Sequence, residues 1–346
     1  MKTLHLASFH GNIGDNAQVN GLKYILREDL SIDLKYYCEE IRSYYHNIQK
    51  AAFDEYFIKK VNQFELFLVG GGGFFDMNFD YSITGSTLNW SENFINEIKI
   101  PIVFYGLGCN QLSDPNPKCI PKFEKFLETL ANKENVLISV RNDGSKEVIE
   151  KNFPSNYGEI VYEVPDSAFH YKIKKSTKIL LNPIISCNQI NIGFCLAGDL
   201  INQRYHNSST SLKSLQKEII ALLKNNMNIH IIFFSHISQD LYYAQKIAKD
   251  IPNNLKKTRI HILPCVKGEG NADSIFQIYK QCNLIISNRF HGVVVPLSMG
   301  KKCIALRDFA SRKISSLVKK LNLTAFKLEV ELFFEGFSDL IMVNLK

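Results

Sequence analysis

One short segment of the sequence carries the residues best suited to acid–base chemistry. Arg289, His291 and Gly292 lie in the segment 288–292, which directly follows an apolar run at residues 284–287 and precedes a helical pattern. Arginine keeps its charge and binds anions, whereas the imidazole of histidine exchanges a proton near neutral pH. A helix that begins here would also offer free N–H groups to an anion. The segment therefore predicts an anion-binding site with a proton donor, against the alternative that His291 is part of the core.

A glycine-containing turn follows the first apolar run of the sequence. Asn12, Gly14 and Asp15 lie between residues 3–9 and a helical pattern, and Asp15 is placed to cap that helix. The N–H groups at such a helix start can meet an anion or a substrate hydroxyl group. The spacing matches neither a dinucleotide-binding G-x-G-x-x-G motif nor a P-loop. A substrate-binding turn and a purely structural turn stay open as alternatives.

Four consecutive glycines come at the end of the next apolar run, at residues 66–69. Such a run exposes backbone N–H groups and allows a ligand to approach the main chain closely. Gly71, Gly72 and Gly73 are therefore predicted to bind a sugar or a phosphate. The alternative is a flexible turn, which needs fewer glycines.

Other polar residues also follow strand-like runs. Arg141 is placed to bind a carboxylate or a phosphate in a bidentate manner, with a surface ion pair as the alternative. Asp166 is predicted to orient a cationic partner or a hydroxyl group, or to fix a turn. His236 and His10 are predicted to line a pocket.

These side chains need a scaffold that brings several strand ends together. Short apolar runs alternate with amphipathic helical patterns, which is typical of parallel sheets built from strand–helix–strand units. Ligands of such sheets bind beyond the carboxyl ends of the strands. The sequence predicts an α/β protein with two doubly wound, Rossmann-like domains that face a cleft, comprising residues 1–178 and 179–346. The predicted strands cover residues 3–9, 66–69, 102–106, 136–140, 161–164, 192–196, 229–234, 259–263, 284–287 and 303–306.

The composition excludes several classes of protein. The 346 residues exceed the usual length of one domain, and 45% hydrophobic with 22% charged residues are typical of a folded globular chain. The net charge of +7 suits anionic ligands, but no basic stripe indicates a nucleic-acid partner. No signal peptide and no run of roughly 18–20 apolar residues is evident, so a cytoplasmic protein is expected. No known metal-binding spacing occurs, and neither a metal nor a cofactor is predicted.

Taken in order, these motifs resemble the polysaccharide pyruvyl transferase family, from about residue 3 to about residue 320. Family members commonly carry leucine in place of Phe290 and often a proline near Lys302, and neither departure removes a polar group. The matching segments are Gly-Asn-Ile-Gly-Asp-Asn-Ala at 11–17, the glycines at 70–73, Ser-Val-Arg at 139–141, Pro-Asp-Ser-Ala-Phe at 165–169 and Arg-Phe-His-Gly at 289–292.

The resemblance implies transfer of a pyruvyl group from phosphoenolpyruvate to a sugar as a cyclic ketal, on a GT-B-like fold. His291 is then expected to be the acid, and Arg289 to take part in catalysis and to bind the donor. Donor binding is also assigned to Arg141, Gly292 and His236, with the donor side in the second domain. Acceptor binding is assigned mainly to the first domain, through Asn12, Gly14, Asp15, Gly71, Gly72, Gly73 and Asp166.

Two other functions stay open at this point. A nucleotide-sugar glycosyltransferase of the same fold would use the arginine and the histidine to hold a diphosphate. The other hypothesis is a glycan-binding protein without enzymatic activity.

A contact of the protein with a membrane is a separate expectation. A lipid-linked acceptor would favour a peripheral contact with the inner face of a membrane. The basic residues 312–320, with apolar residues at helical spacing, are candidates for that contact, and the alternative is a solvated basic face of a core helix.

Overall fold

The chain divides into two compact units. The first comprises Met1–Gly11 and Gln18–His170, and the second comprises Asn12–Ala17 and Tyr171–Lys346. The domain boundary expected between residues 178 and 179 lies outside the described residues. The structure, a computed structural model, describes residues 1–109, 114–174, 189–205, 208–307, 312–327 and 334–345.

The first unit is built around a parallel sheet. Within the described residues its strands are β1 (Lys2–Ala7), β2 (Lys35–Glu40), β3 (Leu66–Gly72), β4 (Ile102–Leu107), β5 (Val136–Arg141) and β6 (Val161–Val164). They pair in the order β2-β1-β3-β4-β5-β6. The order therefore reverses between β1 and β3, and the carboxyl edge near such a reversal is where doubly wound sheets bind ligands.

The second unit contains a second parallel sheet. Within the described residues its strands are β7 (Ile190–Cys195), β8 (Ile229–Phe233), β9 (Ile260–Ile262), β10 (Leu284–Ser287), β11 (Lys302–Arg307) and β12 (Ala325–Lys327). They pair in the order β12-β11-β10-β7-β8-β9, which is the strand order of a Rossmann fold. The reversal lies between β7 and β10, so the segments that follow these two strands meet at the expected ligand-binding position.

Helices connect the strands of both sheets. The predicted apolar face at Phe123, Phe126, Leu127 and Leu130 is confirmed, because all four side chains are buried in one helix. Within the described residues the helices are α1 (Ile13–Tyr24), α2 (Glu55–Val61), α3 (Glu92–Glu97), α4 (Ile120–Ala131), α5 (Ser145–Asn152), α6 (Ser155–Ile160), α7 (Ile201–Arg204), α8 (Ser208–Asn225), α9 (Ser238–Lys249), α10 (Asn253–Arg259), α11 (Glu269–Tyr279), α12 (Phe290–Ser298), α13 (Arg312–Leu321) and α14 (Phe337–Leu345).

The central strands are buried on both faces, which explains their non-alternating apolar sequences. Every residue of β3 is buried, for example. In the first unit the core is rich in aromatic rings, and Trp90 packs on Phe67 and Phe94 with centroid distances of 5.6 and 4.9 Å. In the second unit it consists mainly of Ile, Leu and Phe side chains. This architecture confirms the predicted α/β class with two Rossmann-like sheets.

The differences from the sequence-based prediction concern sheet edges and strand ends. All the predicted strands form, and their ends differ by a few residues. The strands β2 and β12 were not predicted, because edge strands carry polar residues and lack a continuous apolar run. The glycine run does not come after a strand, since Gly70, Gly71 and Gly72 are themselves part of β3.

None of the helices in the described part of the chain has the length and apolar content needed to span a bilayer. The basic helix α13 buries Ile314 and Leu317 in its own unit. Those two side chains are therefore not available to a membrane, which favours the alternative of a solvated basic face. A peripheral membrane contact stays a prediction.

The packing of α1 gives a direct test of the first unit. A Cβ atom on Gly21 would lie 1.8 Å from the backbone oxygen of Ser167, so Gly21→Ala is expected to destabilise the protein by at least about 2 kcal/mol. The control is Gly270→Ala in α11, where nothing lies within 4 Å and alanine should stabilise the helix by up to about 1 kcal/mol. Urea unfolding measures both variants, and equal stabilities for the two would contradict this packing.

Candidate active site

The Arg-Phe-His-Gly segment lies where β10 ends and α12 begins. Arg289 is the N-cap residue of α12, and its N–H group donates to Oγ of Ser287 at 2.9 Å. A Cβ atom on Gly292 would lie 2.2 Å from Oγ of Ser287 and 2.9 Å from Sγ of Cys195. Only glycine therefore fits at position 292, because the first turn of α12 packs directly against the ends of β7 and β10.

The guanidinium group of Arg289 is buried between two carboxylates. Its Nε donates to Oδ2 of Asp240 at 2.9 Å, and its Nη2 contacts Oδ1 of Asp240 at 2.5 Å and Oδ1 of Asp199 at 2.6 Å. Burial alone would lower the pKa of Arg289, but the charges of Asp240 and Asp199 outweigh it and raise the pKa above its ordinary value. Arg289 thus stays charged and cannot exchange a proton.

A second arginine completes this charge cluster. Nη2 of Arg204 lies 3.5 Å from Oδ1 of Asp199, and Nε of Arg204 donates to the backbone oxygen of Asp199 at 3.0 Å. Burial would raise the pKa of Asp199, but Arg289 and Arg204 lower it below its ordinary value. The charges of these two arginines and of Asp199 and Asp240 cancel. The predicted anion-binding charge of Arg289 is thus largely neutralised inside the unit.

Asp240 organises the backbone around this cluster. Its Oδ2 accepts the N–H groups of His236 at 3.0 Å and Ile237 at 3.2 Å, and its Oδ1 accepts the N–H of Gly198 at 2.9 Å. The side chain is fully buried in the first turn of α9. One carboxylate therefore holds the start of α9, the segment after β7 and Arg289 at the same time.

His236 is buried beside the same cluster. Its Nε2 lies 2.9 Å from the hydroxyl oxygen of Tyr279, and its Nδ1 has no hydrogen-bond partner among the described residues. Burial, together with the charges of Arg289 and His291, holds the pKa of His236 well below its ordinary value. His236 is therefore neutral near pH 7 and is a poor proton donor. His10, the other predicted pocket residue, is exposed in the first unit.

The N-terminal turn packs on the histidine of the motif. Residues 12–17 belong to the second unit, although the sequence placed them in the first domain. The reason is local contact: a Cβ atom on Gly14 would lie 2.6 Å from both Cβ and Nδ1 of His291, and Ile13 N–H donates to the backbone oxygen of His236 at 3.4 Å. Glycine at position 14 thus lets α1 begin directly against His291.

The cap of α1 differs from the prediction. Oδ1 of Asn12 accepts the N–H of Gly14 at 2.8 Å, and the backbone oxygen of Asn12 accepts the N–H of Asp15 at 3.0 Å. Asn12 is therefore the N-cap residue, and Asp15 lies inside the first turn, where a negative charge is favourable. The expectation that Asp15 is the N-cap residue was therefore wrong, since Asp15 lies three residues after Asn12.

Arg141 forms a buried ion pair in the first unit. Its Nε donates to Oδ2 of Asp143 at 2.6 Å, and its Nη1 lies 3.8 Å from Oδ2 of Asp166. Asp143 also accepts the hydroxyl group of Ser145. The side chains of Arg141 and both aspartates are almost fully buried. The alternative of a surface ion pair was wrong, because the pair is internal.

The remaining predicted residues of the first unit have structural roles. Oδ1 of Asp166 accepts the N–H of Ala168 at 2.8 Å, so Asp166 fixes the turn that follows β6 as well as facing Arg141. Gly71 and Gly72 have φ angles of +79° and +132°, which favour glycine without any ligand. Gly73 is half-buried after the strand.

The structure groups the predicted residues into two sets. Sequence reasoning missed Asp199 and Asp240, whose only signal is an acidic residue just after a strand or in the first turn of a helix. Among the described residues, no group of three or more His, Cys, Asp or Glu side chains could hold a metal ion. The set in the second unit consists of Arg289, His291, Gly292, His236, Asn12, Gly14 and Asp15, and the set in the first unit consists of Arg141, Asp166, Gly71, Gly72 and Gly73.

The sequence matches the model of a known family, described as "Polysaccharide pyruvyl transferase", over residues 12–308. This range contains all the predicted site residues except His10. No curated protein matches the sequence.

Several solved structures are similar to the chain over nearly its whole length. The UDP-GlcNAc 2-epimerase from Neisseria meningitidis bound to UDP-GlcNAc is 14% identical, with 99% of this chain and 92% of that chain covered and a TM-score of 0.57. The UDP-GlcNAc 2-epimerase from Methanocaldococcus jannaschii in complex with UDP-GlcNAc and UDP is 13% identical. The match covers 100% of this chain and 93% of that chain, with a TM-score of 0.56. At such low identity the similarity shows the fold alone, and it confirms the GT-B-like fold class.

The charge cluster can be tested through stability. Asp240→Asn keeps the shape of the side chain but leaves Arg289 with less compensation, so we expect a loss of about 3 kcal/mol in the free energy of unfolding. The double variant Asp240→Asn/Arg289→Met should lose less than the sum of the two single variants. Asp33→Asn, at an exposed position, is the control and should change the stability by less than about 0.5 kcal/mol. Strict additivity in this cycle would contradict the coupling of Asp240 to Arg289.

Proposed function

The chain belongs to the polysaccharide pyruvyl transferase family, and we propose that it transfers the pyruvyl group of phosphoenolpyruvate to two hydroxyl groups of a sugar. The product is a cyclic ketal on a bacterial surface polysaccharide or on its lipid-linked precursor. The observation that carries the proposal is the position of His291 at the start of α12, packed against Gly14 and next to the cluster around Arg289.

The reaction requires one acid and one base besides the two substrates. Protonation of C3 of phosphoenolpyruvate makes C2 electrophilic, and a sugar hydroxyl group attacks C2 and gives up its proton. The bond between C2 and the phosphoryl oxygen then breaks, and a second hydroxyl group attacks C2 to close the ketal. Of the two protons released, one replaces the proton used at C3 and the other leaves on hydrogen phosphate.

We assign His291 as the acid that protonates C3. Arg289 keeps its proton because Asp240 and Asp199 raise its pKa, and the lowered pKa of His236 keeps that ring neutral. Arg289 and His236 thus keep fixed protonation states, which leaves the imidazole of His291 as the proposed acid. Positioned acids of this kind contribute roughly 10²–10⁴-fold to a rate.

The donor anion has two sources of attraction in this proposal. Nη1 of Arg289 has no partner among the described residues, and α12 begins at Phe290 with N–H groups that favour an anion. Since the carboxylates cancel much of the charge of Arg289, its main role is to fix the motif. Its free guanidinium edge at Nη1 adds a single contact to the donor anion. Donor binding by Arg141 stays a prediction that its burial beside Asp143 does not support.

The acceptor sugar is assigned to other residues than the donor. Asn12 and Asp15 remain proposed contacts for the acceptor hydroxyl groups, because their turn adjoins the proposed acid. The burial of Asp166 and of Gly71 and Gly72 makes a structural role the better supported one for these three residues.

The donor can be identified in one experiment with two arms. Purified protein is incubated with a panel of glycans and either phosphoenolpyruvate or UDP-sugars. We expect release of inorganic phosphate from phosphoenolpyruvate only, with a glycan that gains the mass of one pyruvyl ketal. Release of UDP with extension of the glycan would instead establish the glycosyltransferase. Glycan binding with neither donor consumed would favour the binding protein.

The role of His291 gives a sharper prediction. His291→Gln should lower kcat by roughly 10²–10⁴-fold and leave the KM for phosphoenolpyruvate almost unchanged, because a proton donor acts mainly in the transition state. The control His170→Gln replaces a half-exposed histidine of the first unit and should retain full activity. Wild-type turnover by a folded His291→Gln protein would move the acid to another residue.

A further inference from the structure

A cavity of about 790 Å³ opens in the first unit, and none of the predicted site residues lines it. Tyr44 ends the short 3₁₀ segment that directly follows β2, and Tyr81 and Asn89 lie in the segment between β3 and α3. The cavity is therefore formed at the carboxyl edge by segments that follow the two neighbours of β1. Its volume is within the range of roughly 300–1,000 Å³ that is typical of small-molecule sites.

Aromatic rings line this cavity and brace one another. Tyr44 and Phe53 stack with a centroid distance of 4.2 Å and an interplanar angle of 13°. His46 meets Tyr81 edge to face at 4.4 Å, yet the Tyr81 side chain is 51% exposed. Single exposed tyrosines are common on protein surfaces, but a braced group of rings around a cavity is a preformed apolar platform.

Polar groups lie beside these rings. Oδ1 of Asn89 accepts the backbone N–H of Ile83 at 2.8 Å, which fixes the amide, and its Nδ2 has no partner among the described residues. Gln49 also lines the cavity and has a φ angle of +44°, a backbone conformation that costs energy for a residue other than glycine. The turn that holds Gln49 is closed by hydrogen bonds from Lys50 and Ala51 to Ser43.

We propose that this cavity binds a sugar unit of the acceptor glycan. A pyranose ring presents a face of C–H groups to an aromatic ring and a rim of hydroxyl groups to amide donors and acceptors. Lys50 is the sole lysine or arginine among the lining residues, so the cavity lacks the cationic cluster that a diphosphate requires. The identification of the ligand as the acceptor rests on the proposed function.

Tyr81 provides the direct test, since it is half exposed and is not part of the buried hydrophobic core of its unit. Binding of neutral tetrasaccharides that contain galactose, glucose or N-acetylglucosamine is measured by calorimetry and NMR without phosphoenolpyruvate. Tyr81→Ala should weaken the tightest of these interactions by about 3- to 10-fold, and Tyr81→Phe should retain it. The control Tyr162→Ala removes a ring that is 57% exposed on β6, outside the cavity, and should bind as the wild type does.

The outcomes separate this inference from the proposed function. A raised Kd in Tyr81→Ala, with NMR shifts confined to the cavity, supports the glycan site even when no phosphate is released from phosphoenolpyruvate. Equal binding by Tyr81→Ala and the wild type overturns it, even when pyruvyl transfer is observed. Failure of all the tetrasaccharides to bind the wild type, or tighter binding of UDP at the cavity, overturns it as well.

Discussion

A buried arginine held between two carboxylates is the constraint on which the candidate active site depends. Arg289 follows β10, Asp199 follows β7 and Asp240 begins α9, so their ion pairs fasten three segments at the reversal of the second sheet. Each of these charges would be costly to bury alone, and the cluster is stable only when all its members are in place. The first turn of α12, and with it His291, is therefore held in place by ion pairs within the protein, without any contribution from a substrate.

The same arrangement recurs in simpler form in the first unit. Arg141 ends β5, and its guanidinium group is held by Asp143 and faces Asp166. An arginine at a strand end would ordinarily be assigned to an anionic ligand. In both units, however, this arginine forms an ion pair with an internal carboxylate. The difference lies in the neighbours: Arg289 has histidines beside it and an Nη1 without a partner among the described residues, whereas Arg141 contacts Asp143 and faces Asp166.

Local patterns were sufficient to predict ten of the twelve described strands, the Arg-Phe-His-Gly junction and the turn before α1, because each depends on residues close in sequence. Long-range partners could not be predicted in this way. Asp240 is 49 residues from Arg289, and an acidic residue in a first helical turn is ordinarily explained as a cap. The contact of Gly14 with His291 could not be predicted either, because a glycine indicates that another group packs closely against the backbone but does not identify that group. Burial of Arg141 and the edge strand β2 also depend on tertiary packing.

In the proposed reaction, this chain protonates C3 of phosphoenolpyruvate while it forms a ketal on a sugar. The most direct measurement is the reaction in D₂O with an accepted glycan, followed by mass spectrometry and NMR of the product. We expect one deuterium in the methyl group of each new ketal and one inorganic phosphate released per ketal. A product that retains the vinyl group without deuterium, or a glycan extended by a sugar from a nucleotide donor, would contradict it.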